Sequence, residues 1–273
     1  MKMDADSLLI DKFVENIVEV YEYMYGKDYP ADYKLGRKKE VLSHCAKMAG
    51  ELISARADTP YHDLAHAVDV TLTMQEILLG KHTVEKVDPE DWFNCVMGGI
   101  YHDIGYIPDL FTDDSKPIGI TGASLTRDHV KRSMRHVRER FEGSDIVDGK
   151  KIASLIEYTS VPVIKKEDTE SYGGLLRAAD YIGQLANIDI RKRNLSLLHE
   201  FAETGFAKER GFKSVDDVIA DVPNFFYTQV EQLVEPAMRY LERTKTGLEK
   251  VRSLYGVIKL CETFRDQLGK DKK

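Results

Sequence analysis

Four short segments of the chain place titratable side chains where the helical spacing of apolar residues predicts burial. They carry, in chain order, His62 and His66, the adjacent pair His102-Asp103, His129, and Asp180. The first two histidines are four residues apart, a spacing that puts both on one face of a helix. Side chains of these types bind metal ions and transfer protons, so the segments predict a site rather than ordinary packing.

A metal ion accounts best for the buried acids. A buried carboxylate is costly unless it is paired or bound to a cation. Asp180 follows two alanines, whose small size lets a neighbouring helix come close, and His102-Asp103 falls at a predicted helix C-terminus, where the helix dipole favours a cation. Imidazole with carboxylate suits zinc, iron, manganese or cobalt better than calcium. We therefore expect three helices to bring His66, His102, Asp103 and Asp180 to one ion.

Each of these signals has an ordinary explanation when taken alone. Two histidines four residues apart are more often a solvated or hydrogen-bonded helix face than a metal site. An adjacent His-Asp pair occurs by chance in many proteins. Asp180 alone could pair with Arg177 or Arg191. The order and context of the segments together favour the metal.

The same residues carry a resemblance to a known family. His66, then His102-Asp103, then Asp180 resembles the signature of the HD-domain metal-dependent phosphohydrolase superfamily. Within it, residues 60–70, PYHDLAHAVDV, are similar to the YHNxxHAxDV segment of cyclic-nucleotide phosphodiesterases. The resemblance covers about residues 40–190.

The resemblance implies roles for individual residues. It implies that His66, His102, Asp103 and Asp180 bind one or two divalent transition-metal ions: Fe, Mn, Zn, Co or Ni, with Mg an option at a second site. Asp103 would bridge two ions if two are present. His62 would be the general acid that protonates the leaving oxygen, and its ordinary pKa suits that role. His129 and Glu157 are candidates for a second metal or for the substrate, which would be a small phosphorylated molecule, nucleotides included.

Two departures from the phosphodiesterase pattern argue against hydrolysis of cyclic AMP or GMP. Tyr106 stands where those enzymes carry a histidine, four residues after the HD histidine. The glutamine and phenylalanine that clamp the purine come in reverse order here, as Phe226 and Gln229. Candidates for gripping a phosphate are Lys116, Arg127, Lys165 and Lys166.

Two other functions remain open beside the phosphohydrolase. The first is a di-iron oxygenase, because some members of the superfamily hold two irons on this ligand set. It requires further ligands, for which His129 and a residue near Glu157 are available. The second is a non-catalytic sensor that binds a nucleotide or a metal.

Helices are predicted along the whole chain, because apolar residues recur at three- and four-residue steps and no long alternation indicates a sheet. We expect a single all-α HD-domain bundle of roughly ten helices, with the metal-binding core at about 40–190 and a helical extension at about 188–268. One helix is predicted to begin at Thr59-Pro60 and stop at Gly80, and the next to begin at Asp88-Pro89 and end near Gly105. Later helices are predicted at 124–141, 146–158, 174–185, 188–204, 214–220, 224–243 and 248–268.

Composition limits the class of protein further. The chain has 273 residues, 42% of them hydrophobic, and a net charge of −7, so it has no general attraction to nucleic acid or to an anionic membrane. No apolar stretch approaches the roughly 18 residues of a membrane span. Cys45, Cys95 and Cys261 are far apart, which suggests neither a thiolate zinc site nor disulfides. We expect a cytoplasmic protein with no nucleic-acid or membrane partner; the oligomeric state is not predicted.

Overall fold

The computed structural model describes residues 5–26, 33–114 and 120–271, and within these ranges it contains helices and no strand. The predicted all-α fold is confirmed. The helices are α1 Ala5–Tyr25, α2 Tyr33–Arg56, α3 Leu64–His82, α4 Pro89–Tyr101, α5 His129–Arg140, α6 Gly149–Ile156, α7 Tyr172–Leu185, α8 Ile190–Thr204, α9 Phe206–Arg210, α10 Val215–Phe225, α11 Glu231–Leu241 and α12 Lys245–Asp271. Short 3-10 turns cover Ile104–Tyr106, Gly122–Leu125 and Glu157–Thr159, and a π turn at Phe226–Val230 joins α10 to α11.

Helix α3 lies at the centre of the fold. It packs against α4 and α7 and also contacts α1, α11 and α12. Most of its residues are buried, as expected for a helix enclosed by neighbours on several sides. The sequence predicted that α3 stops at Gly80, but the helix continues to His82. Gly80 instead lets α11 approach, since a Cβ there would lie 1.9 Å from the carbonyl oxygen of Tyr240.

The start of α3 also differs from the prediction. The helix begins at Leu64, because the side chain of Asp63 caps it by accepting the backbone N–H of His66 at 2.9 Å. Thr59, the predicted cap, instead donates its hydroxyl to the carbonyl of His62 at 2.6 Å. His62 therefore precedes the helix, and the prediction that it shares a helix face with His66 is wrong. Their rings still meet, with centroids 5.6 Å apart.

Helix α4 begins as predicted, with Asp88 as its cap and Pro89 as its first residue. It ends at Tyr101 rather than near Gly105, and His102 is its C-terminal cap. Gly105 falls in the 3-10 turn that follows. A Cβ there would lie 2.0 Å from the carbonyl oxygen of His129, so glycine allows this turn to pack against the start of α5.

One cluster of buried apolar side chains extends from Ile10 in α1 to Cys261 in α12. The three cysteines are buried free thiols, as the sequence predicted. In the described ranges no helix is both long enough and apolar enough to cross a membrane.

Candidate metal centre

Three helical segments converge on one small volume. Helix α3 contributes His66, the C-terminal end of α4 contributes His102 and Asp103, and α7 contributes Asp180. The Nε2 atom of His66 lies 3.3 Å from Asp103 Oδ2 and 3.2 Å from Asp180 Oδ1. The Nε2 atom of His102 lies 3.1 Å from Asp103 Oδ2 and 3.9 Å from Asp180 Oδ1. Ligands about 2.0–2.2 Å from a shared transition metal would be separated by about 3 Å or slightly more, and these distances are in that range. Two overlapping groups have ligand atoms within 4.8 Å of one another and could each hold an ion: His66, His102 and Asp180, and His62, His66 and Asp103.

The orientation of His102 tests whether a cation belongs here. Its Nδ1 donates to the carbonyl of Gly99 at 2.8 Å, one turn back in α4, so in the neutral ring Nε2 carries a lone pair. The ring is fully buried, and within the described residues Nε2 has no hydrogen-bond partner, although two carboxylates face it. A lone pair against carboxylate oxygens is repulsive unless a positive ion lies between them or the nitrogen takes up a proton. The arrangement fits a metal ligand held by a backbone carbonyl.

Small residues let α7 bring Asp180 to this point. Ala178 and Ala179 are fully buried, and a Cβ at Gly183, one turn later, would lie 3.3 Å from the side chain of Val70 in α3. The two helices therefore pack closely, as the alanines in the sequence predicted. Asp180 remains partly open to solvent, although Ala178 and Ala179 before it are buried.

Electrostatics at the centre reflect the excess of carboxylates. Burial lowers the pKa of His66, but hydrogen bonding and charge from Asp103 and Asp180 outweigh burial and raise it to about 10. Burial opposes ionisation of Asp103, yet the imidazoles of His102, His62 and His66 hold its pKa well below the usual value. Without a cation, the carboxylates hold protons on the imidazoles. A divalent ion would displace those protons.

The arginine partners considered for Asp180 are engaged elsewhere. Arg177 donates to the carbonyls of Ile164 and Asp168, at 2.8 and 3.0 Å. Arg191 pairs with Asp216 at 2.8 Å. Among the described residues, the ion pairs of Asp180 are with imidazoles and not with an arginine.

His62 lies beside the four ligands and is held by a residue that the sequence analysis missed. This residue is Glu200 in α8, and its Oε2 atom lies 2.5 Å from His62 Nδ1. Its other oxygen accepts the backbone N–H groups of Tyr61 and His62 at 2.6 and 3.1 Å. Although burial opposes ionisation of Glu200, its bonds to His62 and to these backbone groups keep its pKa below the usual value. His62 is thus fixed by a buried, charged partner.

A second residue of α8, Arg193, grips the same segment. It donates to the Asp63 carboxylate at 3.2 Å and to the carbonyl of Tyr61 at 3.2 Å. Arg193 and Glu200 are seven residues apart and lie on one face of α8. Both side chains on this face therefore bind residues 61–63. The buried residues Asn194, Leu197 and Glu200 follow one another at three-residue steps. Because two of these three residues are polar, the apolar pattern of the sequence does not single out Glu200.

His129 and Tyr106 complete the surroundings of Asp103. His129 donates its Nδ1 to the carbonyl of Thr126 at 2.7 Å, and its Nε2 lies 3.6 Å from Asp103 Oδ1. The ring of Tyr106 stacks against both His62 and His129, with centroids 4.2 Å away in each case. One oxygen of Asp103 therefore faces His66 and His102, and the other faces His129.

The remaining candidates lie apart from the cluster. Glu157 accepts a hydrogen bond from Lys165 at 2.8 Å and belongs to neither group of side chains that could share a metal. Lys166 and Arg127 are exposed. Phe226 is buried and Gln229 exposed, so the two do not form a clamp around a base. Lys116 lies outside the described residues.

Comparison with known proteins places the whole chain in a family. A family model described as Npun_R2479-like matches residues 3–263. The chain belongs to the Npun_R2479-like family. The function of that family is unknown, and the match does not by itself link the chain to HD-domain phosphohydrolases. No curated protein matches the chain.

In this Npun_R2479-like chain two residues of the candidate metal centre are more exposed than the others. The side chains of His102 and His66 are 0% and 2% exposed, whereas those of His62 and Asp180 are 19% and 26% exposed. A small molecule reaching the centre would therefore meet Asp180 and His62 first.

Proposed function

We propose that this chain is a metal-dependent phosphohydrolase of the HD-domain type. Its substrate would be a small phosphorylated molecule, nucleotides included. The observation that carries the proposal is the convergence of His66, His102, Asp103 and Asp180 from three helical segments, with imidazole Nε2 atoms 3.1–3.3 Å from carboxylate oxygens. Such a donor set suits a divalent transition metal such as Fe, Mn, Zn, Co or Ni.

The ion, when bound, would act as a Lewis acid on the phosphoryl group and lower the pKa of a water so that it attacks near neutral pH. The four ligands fix its place. The second carboxylate oxygen of Asp103 faces His129 and would be free to bind a further ion, for which Mg is an option. The substrate would reach the ion at the more exposed residues of the centre, Asp180 and His62.

His62 is the residue in position to protonate the leaving oxygen. Glu200 occupies its Nδ1, which leaves Nε2 for the substrate. Because Glu200 also holds the backbone of residues 61 and 62, the ring cannot easily turn away. A fixed imidazole with a carboxylate behind it is the arrangement expected of a general acid.

Cyclic nucleotides are not the proposed substrates. Tyr106 occupies the place of the phosphodiesterase histidine, and its ring packs on His62 and His129 instead of offering a nitrogen ligand. Phe226 is buried and Gln229 is exposed, so the two do not form a purine clamp. These two features support a different phosphoester.

A di-iron oxygenase is the second candidate, and one observation favours it. His129 Nε2 carries a lone pair in the neutral ring and faces Asp103 Oδ1 at 3.6 Å, as a ligand of a second iron would. Glu157, the other ligand considered for that site, pairs with Lys165 instead. The phosphohydrolase therefore has the better support.

The test is turnover by metal-loaded protein, made separately with Mn²⁺ and anaerobically with Fe²⁺. Phosphate release is measured on a panel of phosphomonoesters and diesters, and oxygen consumption is measured with the iron form. We expect phosphate release by the wild type, loss in Asp180→Ala, and retention in Asp216→Ala, which removes an exposed carboxylate paired with Arg191. Equal turnover in wild type and Asp180→Ala would refute the proposal, and oxygen consumption without phosphate release would favour the oxygenase.

A further inference from the structure

The hydroxyl group of Tyr61 is buried at the metal centre without a hydrogen-bond partner among the residues that the structure describes. Every other part of this residue is held. Its N–H donates to Glu200 at 2.6 Å, its carbonyl accepts from Arg193 at 3.2 Å, and the Arg193 guanidinium lies 4.2 Å from the centre of its ring. Tyr61 is 2% exposed. The fold thus fixes a buried hydroxyl whose oxygen lies near the Arg193 donors and whose proton has no acceptor among the described residues, although buried polar groups are nearly always paired.

The position of Tyr61 points to the reacting centre. Its ring lies 5.0 Å from that of His62 and 5.1 Å from that of His66. Burial raises the pKa of Tyr61, and the negative charges of Asp180 and Asp103 act in the same direction, while Arg193 opposes them. The group therefore lies within the electrostatic reach of both carboxylates.

The guanidinium of Arg193, which lies over the ring of Tyr61, cannot accept a hydrogen bond from the Tyr61 hydroxyl. A guanidinium has donors and no acceptor, so Arg193 can only donate to the tyrosine oxygen. The carboxylates of Asp103 and Asp180 are acceptors, but the hydroxyl bonds to neither. An acceptor for this proton therefore lies outside the described residues, and a ligand bound at the centre would supply one. Phosphoryl oxygens are strong acceptors and carry no proton to donate in their ionised form.

We infer that Tyr61 is a substrate-binding residue whose hydroxyl donates a hydrogen bond to a non-bridging phosphoryl oxygen at this centre. The inference rests on the proposed phosphohydrolase function and adds a specificity determinant to it. Tyr61 binds and orients the phosphoryl group and keeps its proton, whereas the neighbouring His62 gives one up to the leaving oxygen. Glu200 holds the backbone of both residues, so the two donors keep a fixed spacing.

The test compares Tyr61→Phe, which removes only the oxygen atom, with Tyr25→Phe as a matched control. Tyr25 is a buried tyrosine in α1 whose hydroxyl donates to the carbonyl of Val87 at 3.1 Å. Metal content is measured for each protein. The affinity of the Mn²⁺-loaded proteins for inorganic phosphate is then measured by calorimetry, and melting temperatures are recorded for the metal-free proteins.

We expect Tyr61→Phe to keep its metal and to bind phosphate about three- to tenfold more weakly, the effect of losing one hydrogen bond. Its metal-free melting temperature should stay close to that of the wild type, since the hydroxyl proton has no acceptor among the described residues. Tyr25→Phe should do the reverse, melting lower and binding phosphate normally.

Three results would overturn the inference alone: unchanged phosphate affinity in Tyr61→Phe, a loss of metal in that variant, or a melting temperature lowered as much as in Tyr25→Phe. The last would mean that the hydroxyl has a structural partner. If metal-loaded wild type bound no phosphate at all, the proposed function would fail together with this inference.

Discussion

The carboxylate of Glu200 and the imidazole of His62 lie 2.5 Å apart although 138 residues separate them in the chain. This contact joins helix α8 to the loop before α3, and the second oxygen of Glu200 holds that loop by two backbone N–H groups. Helix α8 thus belongs to the centre even though it supplies no metal ligand. The position of the proton donor depends on it.

Replacing His62 with alanine should slow turnover and leave the metal in place. His62 is not one of the four proposed ligands, and proton transfer from a positioned side chain contributes about 10²- to 10⁴-fold to a rate. The loss should be largest for substrates whose leaving group is a poor one, because these need the proton most. Rates plotted against leaving-group pKa measure this dependence. An equal loss for all leaving groups would remove His62 as the acid.

Glu200→Gln should weaken catalysis in the same direction. The amide keeps the shape of the side chain but loses the charge that pairs with His62 and with the two backbone donors. We expect a rate about tenfold or more below wild type for poor leaving groups, with normal metal content. Glu203→Gln is the matched control, since Glu203 lies one turn further along α8 and binds Thr121 instead. Similar losses in both variants would indicate general damage to α8.

The stability of the fold should depend on the ionisation of Glu200. Its pKa in the folded protein lies below the value of about 4.5 expected in the unfolded chain. A depressed pKa stabilises the fold above the unfolded value, and this contribution is lost as the pH falls toward the folded value. Urea unfolding of wild type between pH 7 and pH 3 should therefore show a loss that is smaller in Glu200→Gln. Identical pH dependence in the two proteins would contradict the assignment of Glu200 as a buried anion.

Gly80→Ala should destabilise the fold, because the added Cβ would lie 1.9 Å from the carbonyl oxygen of Tyr240. Separating α3 from α11 to relieve this overlap should cost about 1–3 kcal/mol. Gly256→Ala in α12 is the control, since no atom lies within 4 Å of its Cβ position; there alanine should be neutral or stabilise by up to about 1 kcal/mol. Denaturant midpoints decide between these outcomes, and equal midpoints would show that α3 and α11 are not packed this closely.

Local patterns in the sequence predicted the all-α fold class. They also singled out the four ligand candidates, which lie close together in the structure. Asp88 and Pro89 start α4 as expected, and the alanines before Asp180 do allow close packing of α7. The predicted start of α3 was wrong because Asp63, and not Thr59, caps the helix. Asp63 accepts the backbone N–H of His66, whereas the Thr59 hydroxyl donates to the carbonyl of His62.

Long-range contacts could not be predicted from the sequence. Nothing near His62 indicates that Glu200 will meet it, because the contact depends on how α8 returns over the centre. The stacking of Tyr106 on His62 and His129 likewise needs three separate segments to be in place. Two of the three buried residues of α8, Asn194 and Glu200, are polar, so the sequence predicted neither the burial of Glu200 nor its partner.

Metal content tests the central claim most directly. Purified wild type, His102→Ala and Asp180→Ala, each incubated with Mn²⁺ and freed of excess ion, would be analysed for bound metal, with His136→Ala as the control. His136 is a half-buried histidine of α5 whose ring packs near Tyr101 and Phe111 and which belongs to neither group of side chains that could share a metal. We expect about one tightly bound equivalent or more in wild type and in His136→Ala, and little in the two ligand variants. Metal retained at the wild-type level in Asp180→Ala, or absent from wild type, would contradict the account.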